Sequence, residues 1–127
     1  MKNETKTTNT VDARREIIKN HFSNLKGKSI ECPALGKDVE ITTESIRETI
    51  VHATKSEKST LAALQIEVAI KKAKYVDTHI PKKGKQTKIR FVKIHELKAF
   101  LKGIGEVKIM IGERRNTRVL HYCITAK

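Results

Sequence analysis

Between residues 11 and 25 the apolar side chains Val11, Ile17, Ile18, Phe22 and Leu25 recur at helical spacing. That spacing predicts a helix, with Asp12 as its N-cap and Gly27 as its stop. Two short apolar runs, 30–32 and 39–41, flank Pro33 and Gly36 and predict a small hairpin. Ser45 and Glu48 stand at capping-box spacing and open a second helix. After the polar break "KSEKS", the run "TLAALQIEVAIKKAKYV" supplies Leu61, Leu64, Ile66, Val68, Ala69, Ile70 and Ala73. So wide an apolar face predicts one core helix over about 59–74.

Beyond the "IPKKGKQ" loop the period changes to two. Ile89, Phe91, Leu97, Ala99 and Leu101 share one parity, as do Val107, Ile109 and Ile111 after the turn "KGIGE". "GERRNT" is a further turn and "RVLHYCIT" a third strand. Helices first and an antiparallel meander last give an α+β fold, with the N-terminal helices and small hairpin packed on a C-terminal antiparallel sheet. Residues 1–10 lack any apolar period and read as a disordered lead-in, which leaves 11–127 as a single domain.

Charge sharpens this picture. The 127 residues carry a formal net charge of +13, and the excess is confined to one half. Residues 1–70 hold 11 basic and 10 acidic side chains, whereas 71–127 hold 16 and 4. A one-signed field on part of a small domain is the footprint of a polyanion partner, RNA first and DNA second. No stretch approaches a membrane span and the N-terminus has no apolar signal core, so a cytoplasmic protein with no membrane partner is expected. In that compartment Cys32 and Cys123 stay reduced. Neither Cys-x-x-Cys nor His-x-x-x-His spacing nor a carboxylate cluster occurs, so neither a structural zinc nor any other cofactor is expected.

Leu25-Lys26-Gly27, Gly36 and Ser45-Ile46-Arg47 follow one another as helix end, hairpin glycine and helix start. Together with the later "AAL…IKKAK" helix and the closing meander through Tyr122, they resemble a nuclease-like domain found in large polyvalent phage and mobile-element proteins. The likeness runs over roughly residues 14–125. That group is similar to the barnase, EndoU, colicin and RelE-like ribonucleases. The resemblance implies helices followed by an antiparallel sheet and metal-independent RNA cleavage by a toxin or conflict effector. It does not carry an active site with it, because the chemistry differs among members.

Such cleavage needs a base for the 2′-hydroxyl, an acid for the leaving oxygen and cations on the phosphate. Histidine suits the first two roles, and His52, His95 and His121 are the candidates. His52 sits on the polar side of its helix, four residues after Glu48, where a plain surface pair is the alternative. His95 and Lys93 interrupt an otherwise apolar strand face. If Leu120, Tyr122 and Ile124 face the core, His121 projects from the open side. His121 with His95 is the first choice of proton-transfer pair and His52 the reserve, with Arg115 and Lys55 stabilising the phosphate. Glu113 is either a base or a neutraliser of the arginines beside it. Lys82, Lys83, Lys85, Lys88, Arg90 and Lys93, with Arg114 and Arg118 at the last turn, are expected to hold a nucleic-acid backbone.

Two further readings stand beside the nuclease, and the first of them shares its charge pattern. One is a basic module that binds nucleic acid without cutting it. The other is a phage or mobile-element protein that binds and inhibits a host protein; a toxin would instead imply a cognate immunity partner.

Overall fold

The computed structural model describes residues 10–81 and 91–127. The expected lead-in at 1–10 lies outside them except for Thr10, whose hydroxyl accepts from the Ala13 amide at 3.0 Å and caps α1 (Val11–Ser23) in place of Asp12. The hairpin β1 (Ser29–Cys32) and β2 (Lys37–Glu40) follows. Next come α2 (Thr43–Ala53), α3 (Glu57–Ala63) and α4 (Ile66–Lys72). The strands β3 (Lys74–His79), β4 (Lys93–Leu101), β5 (Gly105–Glu113) and β6 (Val119–Ala126) complete the chain. The α+β architecture is as the apolar pattern predicts: helices early, and a meander of β4, β5 and β6 late.

Four details differ from the pattern. The helix foreseen over 59–74 is two short helices parted at Leu64 and Gln65, and Val68 is 53% exposed. The last residues of the apolar run, Lys74–Val76, leave the helix after Ala73 turns extended and begin the edge strand β3. Helix α2 is capped by a box of Thr42 and Ser45, with Ser45 accepting from the Thr42 amide at 3.0 Å. The hairpin does not pack on the sheet but extends it, giving the order β1-β2-β6-β5-β4-β3. Its link to β6 is parallel and short, Val39 to Val119 and Glu40 to Leu120, so the sheet is mixed.

Because β2 covers so little of β6, the rest of that edge needs other partners for its backbone groups. Helices supply them: Ser45 donates from Oγ to the His121 carbonyl, and the Ala126 amide donates to Ser59 Oγ at 2.9 Å. The helices cover one face of the sheet. Ile18 and Phe22 of α1, Ile66 and Ile70 of α4, and Leu97, Val107, Ile109, Ile111 and Ile124 of the strands form the fully buried centre.

On the other face Phe91 and Leu120 make a small second cluster with Ile94 and Tyr122. Phe91 therefore lies on the face opposite Leu97, because the chain before Lys93 is not yet in the ladder. A Cβ on Gly112 would meet the Phe91 ring at 2.4 Å, so the ring rests directly on that glycine.

Candidate active site around His95

Strand β4 presents apolar side chains to the helices at one end and His95 at the other.

 The apolar end is Leu97, Ala99 and Leu101, all buried, and the register carries the same face on to Ile111 opposite His95. His95 is thus held on the helix-side face, where the apolar stripe gives way to polar groups.

Those groups come from four elements. Thr78 on β3 stands opposite His95, and its Oγ1 lies 2.8 Å from His95 Nδ1. The Tyr75 hydroxyl reaches the same Thr78 oxygen at 2.5 Å. On the far side His95 Nε2 meets Glu113 Oε1 at 2.8 Å. The side chains of His95 and Glu113 are 12% and 14% exposed, so the pair is largely shielded but reachable. Lys37 on β2 holds its ammonium 4.0 Å from the same carboxylate oxygen and donates to the Thr117 carbonyl at 3.0 Å. Lys93 pairs with Glu113 in the β4–β5 ladder.

The electrostatics fix the proton positions. The hydrogen bond from His95 holds the Glu113 carboxyl below its ordinary range; burial opposes this, and the charges of Lys37, His95 and Lys93 assist it. An ionised carboxylate only accepts, so Nε2 carries a proton whether the ring is neutral or charged. In the neutral ring the free lone pair is therefore on Nδ1, facing a hydroxyl. Hydroxyl, imidazole and carboxylate in that sequence are the arrangement by which a general base is oriented.

The other predicted residues fall elsewhere. His121 is buried to 1% exposure and does not project from an open face. The β5–β6 register passes from Met110–Cys123 to Ile111–His121, so Tyr122 is an extra residue that turns His121 inward. Burial pushes its pKa down to about 3 against an opposing contribution from the Cys123 backbone, and neither ring nitrogen has a hydrogen bond of normal geometry. We assign it a packing role against Phe22, at a ring separation of 5.8 Å. In the sheet Ile111 stands between it and His95, opposite both.

His52 lies 3.6 Å from Glu48 and 6.3 Å, ring to ring, from Tyr122, beside the second apolar cluster. Burial, then the Glu48 charge, pushes the Tyr122 phenol up to about 12. This group shares no member with the His95 chain. Lys55 is exposed in the turn after α2. Arg114 is tied to Glu44 at 3.0 Å, and Arg118 grips Glu40 through two nitrogens at 2.7 and 2.5 Å. Arg115 is exposed and makes no hydrogen bond or ion pair among the described residues. Lys82, Lys83, Lys85, Lys88 and Arg90 lie outside the described residues. Among the described residues no three His, Cys, Asp or Glu side chains are grouped as a metal site, and no helix is long and apolar enough to cross a membrane.

Glu113, Thr78, Tyr75 and Lys37 escaped the sequence reading as partners of His95. One signal was available for the first. Counting outward equally from Gly103 at the centre of the β4–β5 turn puts Lys93 opposite Glu113 and His95 beside it. The other three depend on β3 and β2 joining the sheet, which no local pattern announces.

Residues 9–122 match the family model of large polyvalent protein-associated domain 3. No curated protein and no solved structure matches the chain.

Proposed function

The chain belongs to the large polyvalent protein-associated domain 3 family, which ties it to phage and mobile elements, and from that premise we propose that it cleaves RNA by proton transfer through His95. The observation that carries this reading is the Thr78–His95–Glu113 chain, 2.8 Å at each link, among the cations Lys37 and Lys93. A substrate 2′-hydroxyl takes the place of the Thr78 hydroxyl and gives its proton to Nδ1. The oxygen attacks the adjacent phosphorus, and Glu113 stabilises the imidazolium that forms. The bond to the 5′-oxygen breaks, leaving a cyclic phosphate on one fragment and a 5′-hydroxyl on the other. The leaving oxygen takes its proton from Lys37 or Lys93, whose charges also offset the build-up on the phosphate. A role as a conflict effector follows from that activity and from the family's setting.

The test is RNA incubated with the purified protein in EDTA. Cyclic-phosphate ends are expected from RNA and no cleavage from DNA, which lacks the attacking hydroxyl. His95→Gln is expected to slow cleavage by about 10²–10⁴-fold. RNA left intact by the unaltered chain overturns the reading.

A further inference from the structure

The sheet face turned away from the helices carries a row of lysines. Lys74 on β3 is directly opposite Lys98 on β4, and Lys98 is directly opposite Lys108 on β5. All three are exposed, and paired residues share a face. Like charges set opposite one another across a sheet disfavour folding. A solvated face would be served better by alternating signs, and acids are indeed near. Glu96 shares the face, and Glu106 is engaged by Lys127 at 2.7 Å, so neither stands within the row.

Two residues beyond Lys98 on the same face, Phe100 is 66% exposed. Lys72, Lys74, Lys98, Phe100 and Glu106 border an open depression of about 330 Å³. Among the described residues no ion pair at salt-bridge distance engages Lys74, Lys98 or Lys108, although Lys98 lies close enough to Glu106 to act on its charge, and a water-exposed ring beside them serves neither packing nor solubility.

We infer that this face binds single-stranded nucleic acid, with phosphates along the Lys74–Lys98–Lys108 row and an unpaired base on Phe100. The chemistry favours that occupant over others. A polyanion complements the row, and a ring adds to its binding only if the polyanion offers flat π-faces. A duplex keeps its base faces stacked inside, and an acidic peptide has none. The surface uses different side chains, and the opposite face, from the His95 site, so it stands independently of the cleavage proposal.

The experiment uses the full chain with a short fluorescent oligodeoxyuridylate, which lacks the 2′-hydroxyl, titrated at several salt concentrations. Replacing Lys74, Lys98 and Lys108 together by Gln should flatten the salt dependence by a log–log slope of about 2, at about 0.7 per phosphate contact. Phe100→Ala should weaken binding roughly fivefold to hundredfold at fixed salt. Circular dichroism of both variants verifies that the exposed substitutions leave the fold intact. Binding of the deoxy probe is read without cleavage, and cyclic-phosphate ends from RNA report on the His95 site, so the two proposals fail separately. An unchanged slope in the triple variant overturns the inference. So does polyglutamate or duplex RNA competing as well as the single strand with Phe100→Ala indifferent.

Discussion

His121 sits opposite Ile111 in the β5–β6 ladder, with its ring 5.8 Å from that of Phe22. The imidazole is thereby sealed under α1, neutral, with a pKa pushed down by burial to about 3. In the unfolded chain the same ring protonates near its ordinary value of about 6.5. The unfolded state then binds the extra proton, so stability falls as pH drops below that value. The slope approaches about 1.4 kcal/mol per pH unit and persists until the folded ring titrates. His121→Leu removes both the titration and two buried nitrogens without partners. Its denaturation midpoint should depend much less on pH than that of the unaltered chain between about pH 6.5 and pH 4. An equal pH dependence in both proteins would contradict the buried neutral ring.

Glu113 on β5 also acts on acid stability. Its folded pKa is lowered, chiefly by the His95 hydrogen bond. Its contribution is therefore present above the ordinary carboxylate range and lost as pH falls through the depressed value. Glu113→Gln should erase that part of the acid sensitivity. The amide can present either donor or acceptor to Nε2, so control of the imidazole tautomer goes with it. RNA cleavage should drop by roughly 10²–10⁴-fold, as when the orienting carboxylate of a catalytic triad is lost. Cleavage at the original rate would show that Glu113 does not orient His95.

Phe91 and Gly112 make a steric pair. A methyl group at 112 would overlap the ring by a distance no side chain adopts, and Phe91 is itself set edge-on to Tyr122 at 5.7 Å. Gly112→Ala should push Phe91 off the sheet and cost about 1–3 kcal/mol by chemical denaturation. The double change with Phe91→Ala should recover much of the steric part of that loss, because the clashing atoms are gone.

Ile109 and Val68 separate core from surface. Ile109 is fully buried and should cost about 2–5 kcal/mol when cut to Ala. Val68 is 53% exposed, and Val68→Ala should stay within about 0.5 kcal/mol. A large loss at Val68 would mean that a surface of α4 is covered in solution.

The legible parts of this fold are those written in local periods. The two-residue alternation of Leu97–Leu101 and of Val107–Ile111 marks β4 and β5, and the symmetric turn between them sets their register. Local patterns do not encode the bulge at Tyr122. One inserted residue leaves the composition of β6 unchanged yet reverses the faces of His121 and Leu120. They also miss β3, because "AKYV" continues a helical apolar spacing and becomes a strand only through pairing with β4. His95 could be picked out as polar on an apolar stripe. Its hydroxyl partner could not, since Thr78 reaches it only once that edge strand is in place.

Thr78 gives the sharpest test of how His95 works. Its hydroxyl occupies the position at Nδ1 that a substrate 2′-hydroxyl must take, with the Tyr75 phenol behind it at 2.5 Å. If Thr78 only holds that position, Thr78→Ala leaves the base intact and vacates it. RNA cleavage should then persist within about tenfold of the original rate, while His95→Gln loses about 10²–10⁴-fold. If instead Thr78 were the attacking group, Thr78→Ala would be as damaging as His95→Gln, and a covalent adduct on Thr78 would accumulate during turnover. Mass spectrometry of the quenched reaction distinguishes the two. An adduct at residue 78 would replace direct attack by the ribose with a two-step transfer through the protein, and DNA would then be cut as well.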